Sequence, residues 1–539
     1  MAKERVLSTE TSDEPDPKAL QQAYRFNSIW TEVGFCFALC MTQFLAEYLI
    51  SGFALQLPLL SQRNPDFANQ DTSVLWPASL LSLVMSAMLL IFARLSDMFG
   101  GYWFFLFGLA WLTIWTLIPG CTTSITVLNC ARAMQGLALA AFMPSTFAIM
   151  GRLYVPGRRK TVIISIYSGW APLGFFGGFI VAGALGSHLS DYYFFIGAIL
   201  SALTGFVAWM TIPKSLTAVR NHNIKMDWIG SFFMVSGLLL LCYALAAEPY
   251  ANEHSDTDGF ATAIVLGPLV SGVACLVAAS IVEWKLAKSP LVPLSFFKSW
   301  SVVWLSLACM CFYACFGVWL YYTVDYFQNP LANTSNLSRN QVALAIWYLP
   351  MAIAGLVCCV ILGPLLQIVH MKILLLFTGC TWITAPVILA VSSLPLSYWA
   401  NAFPSILCAT IGINLTFTIS IVYLTAVQPP GLQGLCGAMC SIFLGLAFAF
   451  SLPIGQIIMT KVSGKNWMID AHRGAAAYDE DDRRSMVLGY RASFIYAAVS
   501  AGLGLVLCAL GVKIPSVLSI RQRRQQRDGG AKERVACDE

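Results

Sequence analysis

Long apolar runs and short polar connections alternate along almost the whole chain. Each run has about 20 to 28 residues, and about 20 helical residues, rising 1.5 Å each, cross the roughly 30 Å core of a bilayer. The pattern therefore predicts an all-α polytopic membrane protein. The fourteen predicted spans are 33–58, 74–93, 103–121, 125–150, 161–185, 192–213, 227–247, 261–282, 300–327, 341–364, 371–393, 397–426, 434–460 and 490–511.

An internal repeat divides these spans into two groups of six, with an inserted pair between them. ARLSDMFGG (93–101) follows the second span, and GPLLQIVHMK (363–372) ends the tenth. In both, a small residue is followed four positions later by a polar one, Asp97 or Gln367. The repeat predicts two six-helix bundles about an axis normal to the membrane. The predicted division is a disordered cytoplasmic tail (1–29), an N-terminal bundle (30–213), two inserted helices with their linker (214–299), a C-terminal bundle (300–511) and a basic cytoplasmic tail (512–539).

Composition supports a membrane protein. The 539 residues are 58% apolar and 11% charged, with a mean hydropathy of +0.70, whereas a soluble domain carries about 25% charged residues. Residues 1–29 are polar and contain no apolar segment of the kind that a cleavable signal requires. The 17 cysteines form no CxxC pair, so we expect them to fill helix contacts.

Basic residues are concentrated in alternate loops, and this fixes the expected orientation. Placing the N-terminus inside puts most of the loop lysines and arginines in the cytoplasm, as the positive-inside rule requires. The sequons at Asn333 and Asn336 then lie outside, where they can be glycosylated, and the tail containing IRQRRQQR lies inside, near anionic lipid. We expect both termini in the cytoplasm and a plasma-membrane location, with the vacuolar membrane as the alternative.

Three segments carry a resemblance to a known family. The loop ARLSDMFGG, the fourth-span segment RAMQG and the fifth-span segment SGWAPLGFFGG resemble signatures of the major facilitator superfamily, in its fourteen-span drug:proton antiporter branch. The alanine–proline form in the fifth span is similar to fungal aminotriazole-resistance and boron-export transporters. The resemblance implies a functional monomer. The matching residues are Asp97 and Gly100, then Arg132, Gln135 and Gly136, then Pro172, Gly177 and Gly178.

The resemblance also implies roles for these positions. Asp97 is implied to latch the inward-closed arrangement by accepting hydrogen bonds at a helix N-terminus; a simple turn acid is the alternative. The fifth-span stretch is implied to favour exchange over leak. Small residues permit close approach of helices, and proline can bend a helix. Conformational roles are therefore expected for Gly100, Gly136, Pro172, Gly177 and Gly178.

Arg132 and Glu47 are charged residues inside predicted spans. An arginine at the centre of a membrane helix costs about 3 kcal/mol or more. Arg132 lies seven residues into the fourth span and Glu47 eleven residues before the outer end of the first, at similar depths. A carboxylate beside a guanidinium has the ingredients of a proton switch, so we predict a direct or water-bridged contact. The alternatives are snorkelling of Arg132 to the headgroups and a solvated cavity-wall acid at Glu47.

Polar stripes indicate a central cavity. Gln43, Glu47 and Ser51 recur at helical spacing on the first span, as do Thr410, Asn414 and Thr418 on the twelfth. Hydrogen bonding between helices is the alternative for both stripes. Deep aromatic residues could line a pocket for a flat organic substrate. The candidate substrate-binding residues are Gln43, Glu47, Trp76, Gln135, Tyr167, Trp170 and Asn414, and the candidates for proton coupling are Glu47, Arg132 and Asp97.

Asp325 lies two residues from the outer end of the ninth span, in VWLYYTVDYFQ. We expect a hydrated acid at the membrane interface, with Tyr321, Tyr322, Tyr326 and Phe327 forming an aromatic belt around it.

These features favour a secondary active transporter over other classes of protein. The five histidines show no metal-ligand spacing, and the chain has no nucleophile elbow and no GxxxxGK[ST] phosphate loop, so neither an enzyme nor an ATP-driven pump is expected. The tails are short for a transporter-like sensor. We expect proton-coupled efflux of a small organic compound, with no cofactor, metal or nucleic acid, and with lipid, proton and substrate as partners. Proton-coupled uptake and borate-type export are the alternatives.

Overall fold

The computed structural model describes residues 28–63, 75–154, 158–186, 189–217, 226–254, 259–286, 294–329, 341–394, 396–428, 433–464 and 480–513. Within these ranges, fourteen helices are long and apolar enough to cross a membrane. The predicted sequons at Asn333 and Asn336 lie outside the described residues, as does most of both predicted tails.

The first group contains six helices that pack on one another. They are α1 (Ile29–Arg63), α2 (Trp76–Phe99), α3 (Gly101–Leu117), α4 (Ile125–Leu153), α5 (Arg158–Leu185) and α6 (Ser190–Thr211). The main contacts join α1 to α5 and α6, α2 to α4, and α3 to α4 and α6. Glycine permits the close approach of α4 to α2, because a β-carbon on Gly136 of α4 would lie 2.4 Å from the carbonyl oxygen of Leu81 on α2.

The inserted pair and the second group follow. The inserted helices are α7 (Trp228–His254) and α8 (Ala263–Ile281). The second group is α9 (Trp300–Gln328), α10 (Leu349–Ile368), α11 (Met371–Ala390), α12 (Phe403–Val427), α13 (Gln433–Ser463) and α14 (Glu480–Gly511). Here α9 packs on α13 and α14, α11 on α12 and α14, and α10 on α12. The predicted architecture of two six-helix bundles with two inserted helices is confirmed.

Short helical segments connect several of these helices. Lys214–Thr217 precedes α7, and Gln341–Trp347 leads into α10. Ile118–Cys121, Gly259–Ala261 and Leu294–Phe297 are 3₁₀ turns, and Val282–Leu286 and Tyr398–Ala402 are π-helical.

The two bundles meet along a seam formed by α2 with α13, α5 with α10, and α1 with α9. Cross-bundle contacts lie at the end of the molecule that carries the C-terminus of α1. There Gln328 Nε2 donates to the carbonyl oxygen of Leu55 at 3.2 Å, and the rings of Phe179 and Tyr348 stack with centroids 4.4 Å apart. The bundles are therefore closed against each other at this end.

The opposite end is different. Among the bonds described there, Arg159 Nε and the Tyr154 hydroxyl both donate to Glu32 Oε1, at 3.1 and 3.0 Å, within the first bundle. The described residues therefore close the two bundles against each other at the end with the C-terminus of α1, and the bonds described at the opposite end lie within the first bundle.

The last helix corrects a prediction. The final span was expected at 490–511, but α14 begins ten residues earlier, at Glu480. The additional turns are polar, and three acids in the first turn interact favourably with the positive end of the helix dipole. Arg484 also lies 3.4 Å from Glu480 one turn back. Polar residues that hydropathy assigned to a loop therefore continue the helix.

A second prediction, at Asp325, is also wrong. Its side chain was expected to be hydrated, yet it is only 4% exposed, and the Tyr490 hydroxyl of α14 donates to its carboxylate. The aromatic belt expected around it is also wrong, since Tyr321, Tyr322, Tyr326 and Phe327 are all buried against neighbouring helices. Distance from the end of a span does not indicate exposure where another helix covers that end.

Candidate functional site

Glu47 lies half-buried on α1. Gln43 Nε2, one turn earlier on the same face, donates to Glu47 Oε1 at 3.3 Å. The third member of the stripe, Ser51, is buried instead, and its hydroxyl donates to the carbonyl oxygen of Phe175 on α5 at 2.7 Å. The stripe therefore fits both the helix-packing and the cavity interpretation. Ser51 joins two helices by a hydrogen bond, whereas the side chains of Gln43 and Glu47 are partly exposed.

Two predicted aromatic residues of α5 lie beside this part of α1. The half-buried ring of Trp170 packs edge-on against Phe37 and Phe44 of α1, with centroids 5.9 and 6.1 Å apart. Tyr167, one turn earlier, is 4% exposed and packs against Phe147 of α4 at 5.4 Å. The structure thus places Tyr167 and Trp170 in the same α1–α5 region as the Gln43–Glu47 pair.

Asn414 contributes from the second bundle. It is half-buried on α12, and its Nδ2 donates to the carbonyl oxygen of Thr410 at 2.9 Å. A β-carbon on Gly355 of α10 would lie 2.7 Å from Pro172 of α5 and 3.7 Å from Asn414 Nδ2. Asn414 therefore lies close to the point where α5 and α10 meet across the seam, near Pro172.

Arg132 makes a different set of contacts from the expected one. It is fully buried, and no ion pair joins it to Glu47 within 4.0 Å. Its Nη1 donates to the carbonyl oxygen of Leu49 at 3.2 Å and its Nε to that of Pro77 at 3.3 Å, while the guanidinium lies 3.9 Å from the ring centroid of Phe53. At 3.6 residues per turn, Phe53 lies about 120° around α1 from Glu47. The direct contact is absent in this conformation because Arg132 faces another side of α1, and the water-bridged contact stays a prediction.

Two further candidates are used in packing. Gln135 is fully buried; its Oε1 accepts from Arg132 Nη1 at 3.0 Å, and its Nε2 donates to the carbonyl oxygen of Trp115 at 3.1 Å. Trp76 packs against Tyr243 of the inserted helix α7, with centroids 6.0 Å apart. In this conformation neither side chain reaches the region around Glu47. Gln135 lies on the face of α4 that α3 covers, and Trp76 lies on the face of α2 that α7 covers.

Comparison with known families agrees with this architecture. Residues 36–452 match the model of the Major Facilitator Superfamily. The chain belongs to this superfamily. The family suggested by the sequence segments is thereby confirmed, and a membrane transporter of many spans is established as its general class.

Three relatives within the superfamily share most of their length with this chain. The low affinity ammonium transporter of Saccharomyces cerevisiae is 27% identical over 94% of this chain and 92% of its own. The efflux pump terJ of Aspergillus terreus is 29% identical over 84% and 86%. The aminotriazole resistance protein of Saccharomyces cerevisiae is 27% identical over 84% and 81%. The last of these agrees with the branch that the fifth-span segment indicated.

The superfamily signature around Asp97 has the expected turn but not the expected latch. Gly100 joins α2 to α3 with φ of +91°, a conformation that other residues rarely adopt. Asp97 is exposed, and its carboxylate makes no hydrogen bond or ion pair with the described residues. The latch therefore stays a prediction, for a conformation in which this end of the molecule is closed.

The glycines of α5 lie against α1. A β-carbon on Gly178 would lie 2.3 Å from the Ser51 hydroxyl, and one on Gly177 would lie 2.6 Å from the ring of Phe44. Their small size is therefore required for this packing, while their predicted part in exchange remains a prediction.

Sequence reasoning missed the contribution of α9. Tyr321, Asp325 and Gln328 recur at positions i, i+4 and i+7, which is the spacing of one helix face. The structure buries all three: Tyr321 and Gln328 face α1, and Asp325 faces α14. A helical-wheel reading of this segment would have identified a polar face instead of an interfacial belt.

Proposed function

We propose that this superfamily member exports small organic compounds in exchange for protons, by alternating access between its two bundles. The observation that carries the proposal is the carboxylate of Glu47, which stays half-buried on a polar face of α1 while the bundles are closed at one end. An acid in such a place can bind either a proton or a cationic substrate group, and it loses one when it takes the other.

The charges around the site favour a substrate that carries a basic nitrogen. Arg132 is fully buried and turned toward the backbone of α1 and α2. Glu248 is buried in an ion pair with Lys461 at 3.0 Å, and Asp325 is buried against Tyr490. Among the charged side chains that the structure describes deep in the helices, Glu47 is thus the one that is partly exposed. Trp170, which packs on Phe44 one turn from Glu47, offers an aromatic face, which also attracts cations.

The names of two relatives support export. One relative is an efflux pump and another confers aminotriazole resistance. With both termini in the cytoplasm, the closed end of the structure would face outward, and the opposite end would face the cell interior, from which an exporter takes its substrate. Asp97 would then form its latch when that end closes, and Arg132 would pair with Glu47 only after releasing Leu49 and Pro77.

Uptake is the second candidate. The low affinity ammonium transporter shares the greater part of its length with this chain, and ammonium is a small cation that Glu47 could also bind.

We place the protein in the plasma membrane as a monomer. A fluorescent fusion and the mass of the purified protein in detergent would test these two statements.

The test of function is a resistance screen in yeast depleted of its own transporters. Cells expressing the wild-type protein are exposed to an array of toxic organic compounds, beside cells expressing Glu47→Gln. Glu32→Gln is the matched control, because it makes the same chemical change at the N-terminal end of the same helix.

Export predicts that wild type and Glu32→Gln lower the accumulation of at least one compound, that a protonophore abolishes this effect, and that Glu47→Gln loses its dependence on pH. Higher sensitivity and accumulation in wild-type cells would show uptake instead. Full, pH-dependent resistance with a correctly localised Glu47→Gln protein would refute the role of this carboxylate.

A further inference from the structure

Four consecutive carbonyl groups of α1 accept hydrogen bonds from side chains. The Ser51 hydroxyl donates to Glu47 at 2.8 Å, the Tyr193 hydroxyl to Tyr48 at 2.6 Å, Arg132 Nη1 to Leu49 at 3.2 Å and the Tyr321 hydroxyl to Ile50 at 3.3 Å. We call this turn, residues 47–50 with its four donors, the α1 collar. It lies in the interior of a continuous helix, where carbonyls normally accept one bond from the amide four residues later.

The collar joins α1 to three other helices. Tyr193, Arg132 and Tyr321 lie on α6, α4 and α9, so each of their bonds fixes the turn relative to a different helix, whereas Ser51 lies on α1 itself. The turn includes Glu47, and its Leu49 carbonyl is the acceptor for Arg132. Any movement of this turn therefore changes the position of the Glu47 carboxylate and the contacts of Arg132 together.

Tyr321 differs from the other three donors because it belongs to the second bundle. It is 3% exposed, and its ring packs edge-on against Phe448 of α13 with centroids 6.1 Å apart. Its hydroxyl thus brings the second bundle into contact with the turn that holds Glu47, while Ser51, Tyr193 and Arg132 act from within the first bundle.

We propose that Tyr321 is a positioning residue of the transport cycle, whose hydroxyl fixes the α1 collar only while the bundles are closed at this end. Separation of α9 from α1 breaks the hydrogen bond from Tyr321 to Ile50, together with the nearby bond from Gln328 to Leu55. The three bonds within the first bundle remain. The carboxylate of Glu47 is then held less firmly, which links its exchange of proton or substrate to opening of the seam. This inference rests on the movement of two bundles, but not on the substrate or the direction of transport.

Tyr313 provides a matched control on the same helix. It is fully buried like Tyr321, but its hydroxyl has no hydrogen-bond partner among the described residues. Tyr321→Phe removes a cross-bundle hydrogen bond, whereas Tyr313→Phe removes a hydroxyl with no such bond. The two variants lose the same atom from the same helix, so a difference between them reports the bond.

The experiment is hydrogen–deuterium exchange of the purified full-length protein in lipid nanodiscs, followed by mass spectrometry. In Tyr321→Phe, amides of α1 between residues 49 and 58 should exchange about five-fold faster, the factor expected for loss of one ordinary hydrogen bond of about 1 kcal/mol. The facing segment at 341–348 should also exchange faster, because the seam opens as a unit. Tyr313→Phe should match wild type, and all three proteins should melt at similar temperatures.

Several results would overturn the proposal. If the amides of α1 in Tyr321→Phe exchanged at the wild-type rate, the bond from Tyr321 to Ile50 would not be what holds the turn at residues 47–50. Faster exchange confined to α9 would show a role within its own bundle only. An equal increase in Tyr313→Phe would show that the packing of tyrosine, and not the bond to Ile50, is responsible.

Two further measurements keep the proposal testable if Tyr321→Phe does not fold. Gln328→Met removes the neighbouring cross-bundle bond and should raise exchange at the C-terminal end of α1; no change there would contradict closure by this seam.

For any compound that the resistance screen identifies, Tyr321→Phe should lower the maximal rate and leave KM unchanged, because the side chains around Glu47 are intact. A raised KM with an unchanged maximal rate would place Tyr321 in substrate binding instead. The exchange data do not depend on the screen, so failure of either proposal is recognised separately.

Discussion

A guanidinium inside a membrane protein is stable where acceptors surround it. Arg132 obtains them from two backbone carbonyls, on α1 and α2, from Gln135 and from the face of Phe53. A planar group with five N–H donors can bridge such acceptors, whereas a lysine ammonium offers one point charge on a flexible stem. The arginine therefore joins α1, α2 and α4, whatever part it takes in proton coupling.

Arg132→Lys should consequently destabilise the protein and reduce transport, although it preserves the charge. Loss of hydrogen bonds from a charged donor costs about 1.5 to 3 kcal/mol each, so we expect a clear fall in melting temperature of the detergent-purified protein. Arg159→Lys is the control, because Arg159 is 57% exposed at the helix end. A wild-type melting curve and full transport with Arg132→Lys would show that the bridging geometry is unimportant.

At the scale of helices, the first bundle depends on close approach of α1 and α5. A β-carbon on Gly174 would lie 2.4 Å from the carbonyl oxygen of Phe44, so the helix backbones leave no space for a side chain there. The same α5 contains Gly169, where a β-carbon would meet no atom within 4 Å. Glycine is thus required at one position and is only tolerated at the other.

Gly174→Ala should force α5 away from α1 and cost about 1 to 3 kcal/mol, as overpacking of a core usually does. Gly169→Ala should be neutral or stabilising, because alanine favours the helix more than glycine does by about 1 kcal/mol. Thermal unfolding of the two purified variants measures the difference. Equal melting temperatures would mean that the α1–α5 contact can relax at no cost.

At the scale of the whole molecule, the inserted helix α7 joins the two bundles. It packs on both α2 and α13, the helices that form one side of the seam. Cys242 Sγ donates to the carbonyl oxygen of Ala449 at 3.3 Å, and Lys461 of α13 lies 3.0 Å from Glu248, which is 1% exposed. The inserted pair is therefore bound to the moving parts, and α7 must follow one bundle or the other when the seam opens.

Glu248→Gln and Lys461→Met should each lower stability, and the double variant should lose less than the sum of the two. Removing one partner leaves the other charge without compensation, whereas removing both does not. Because Lys461 is 38% exposed, we expect about 1 kcal/mol of coupling instead of the larger value of a fully buried pair. A double-mutant cycle of thermal unfolding measures this energy, and strictly additive effects would exclude coupling across this contact.

The sequence by itself determined the architecture. Fourteen apolar runs of sufficient length leave few folds, because every backbone polar group inside a bilayer must be satisfied within a helix. The helical spacing of Gln43 and Glu47 also placed both on one face of α1, and the glycines of α5 indicated close packing, since these features depend on local periodicity and residue size.

Only the tertiary structure decided which partner each polar side chain has. Arg132 bonds to the carbonyls of Leu49 and Pro77, and Tyr321 bonds to that of Ile50, although the sequence suggested a carboxylate partner for the first and an interfacial position for the second. Backbone carbonyls are present at every residue and leave no pattern in the sequence. Which of them accepts a given donor depends on how the helices rotate and cross, and packing of the whole molecule sets those angles.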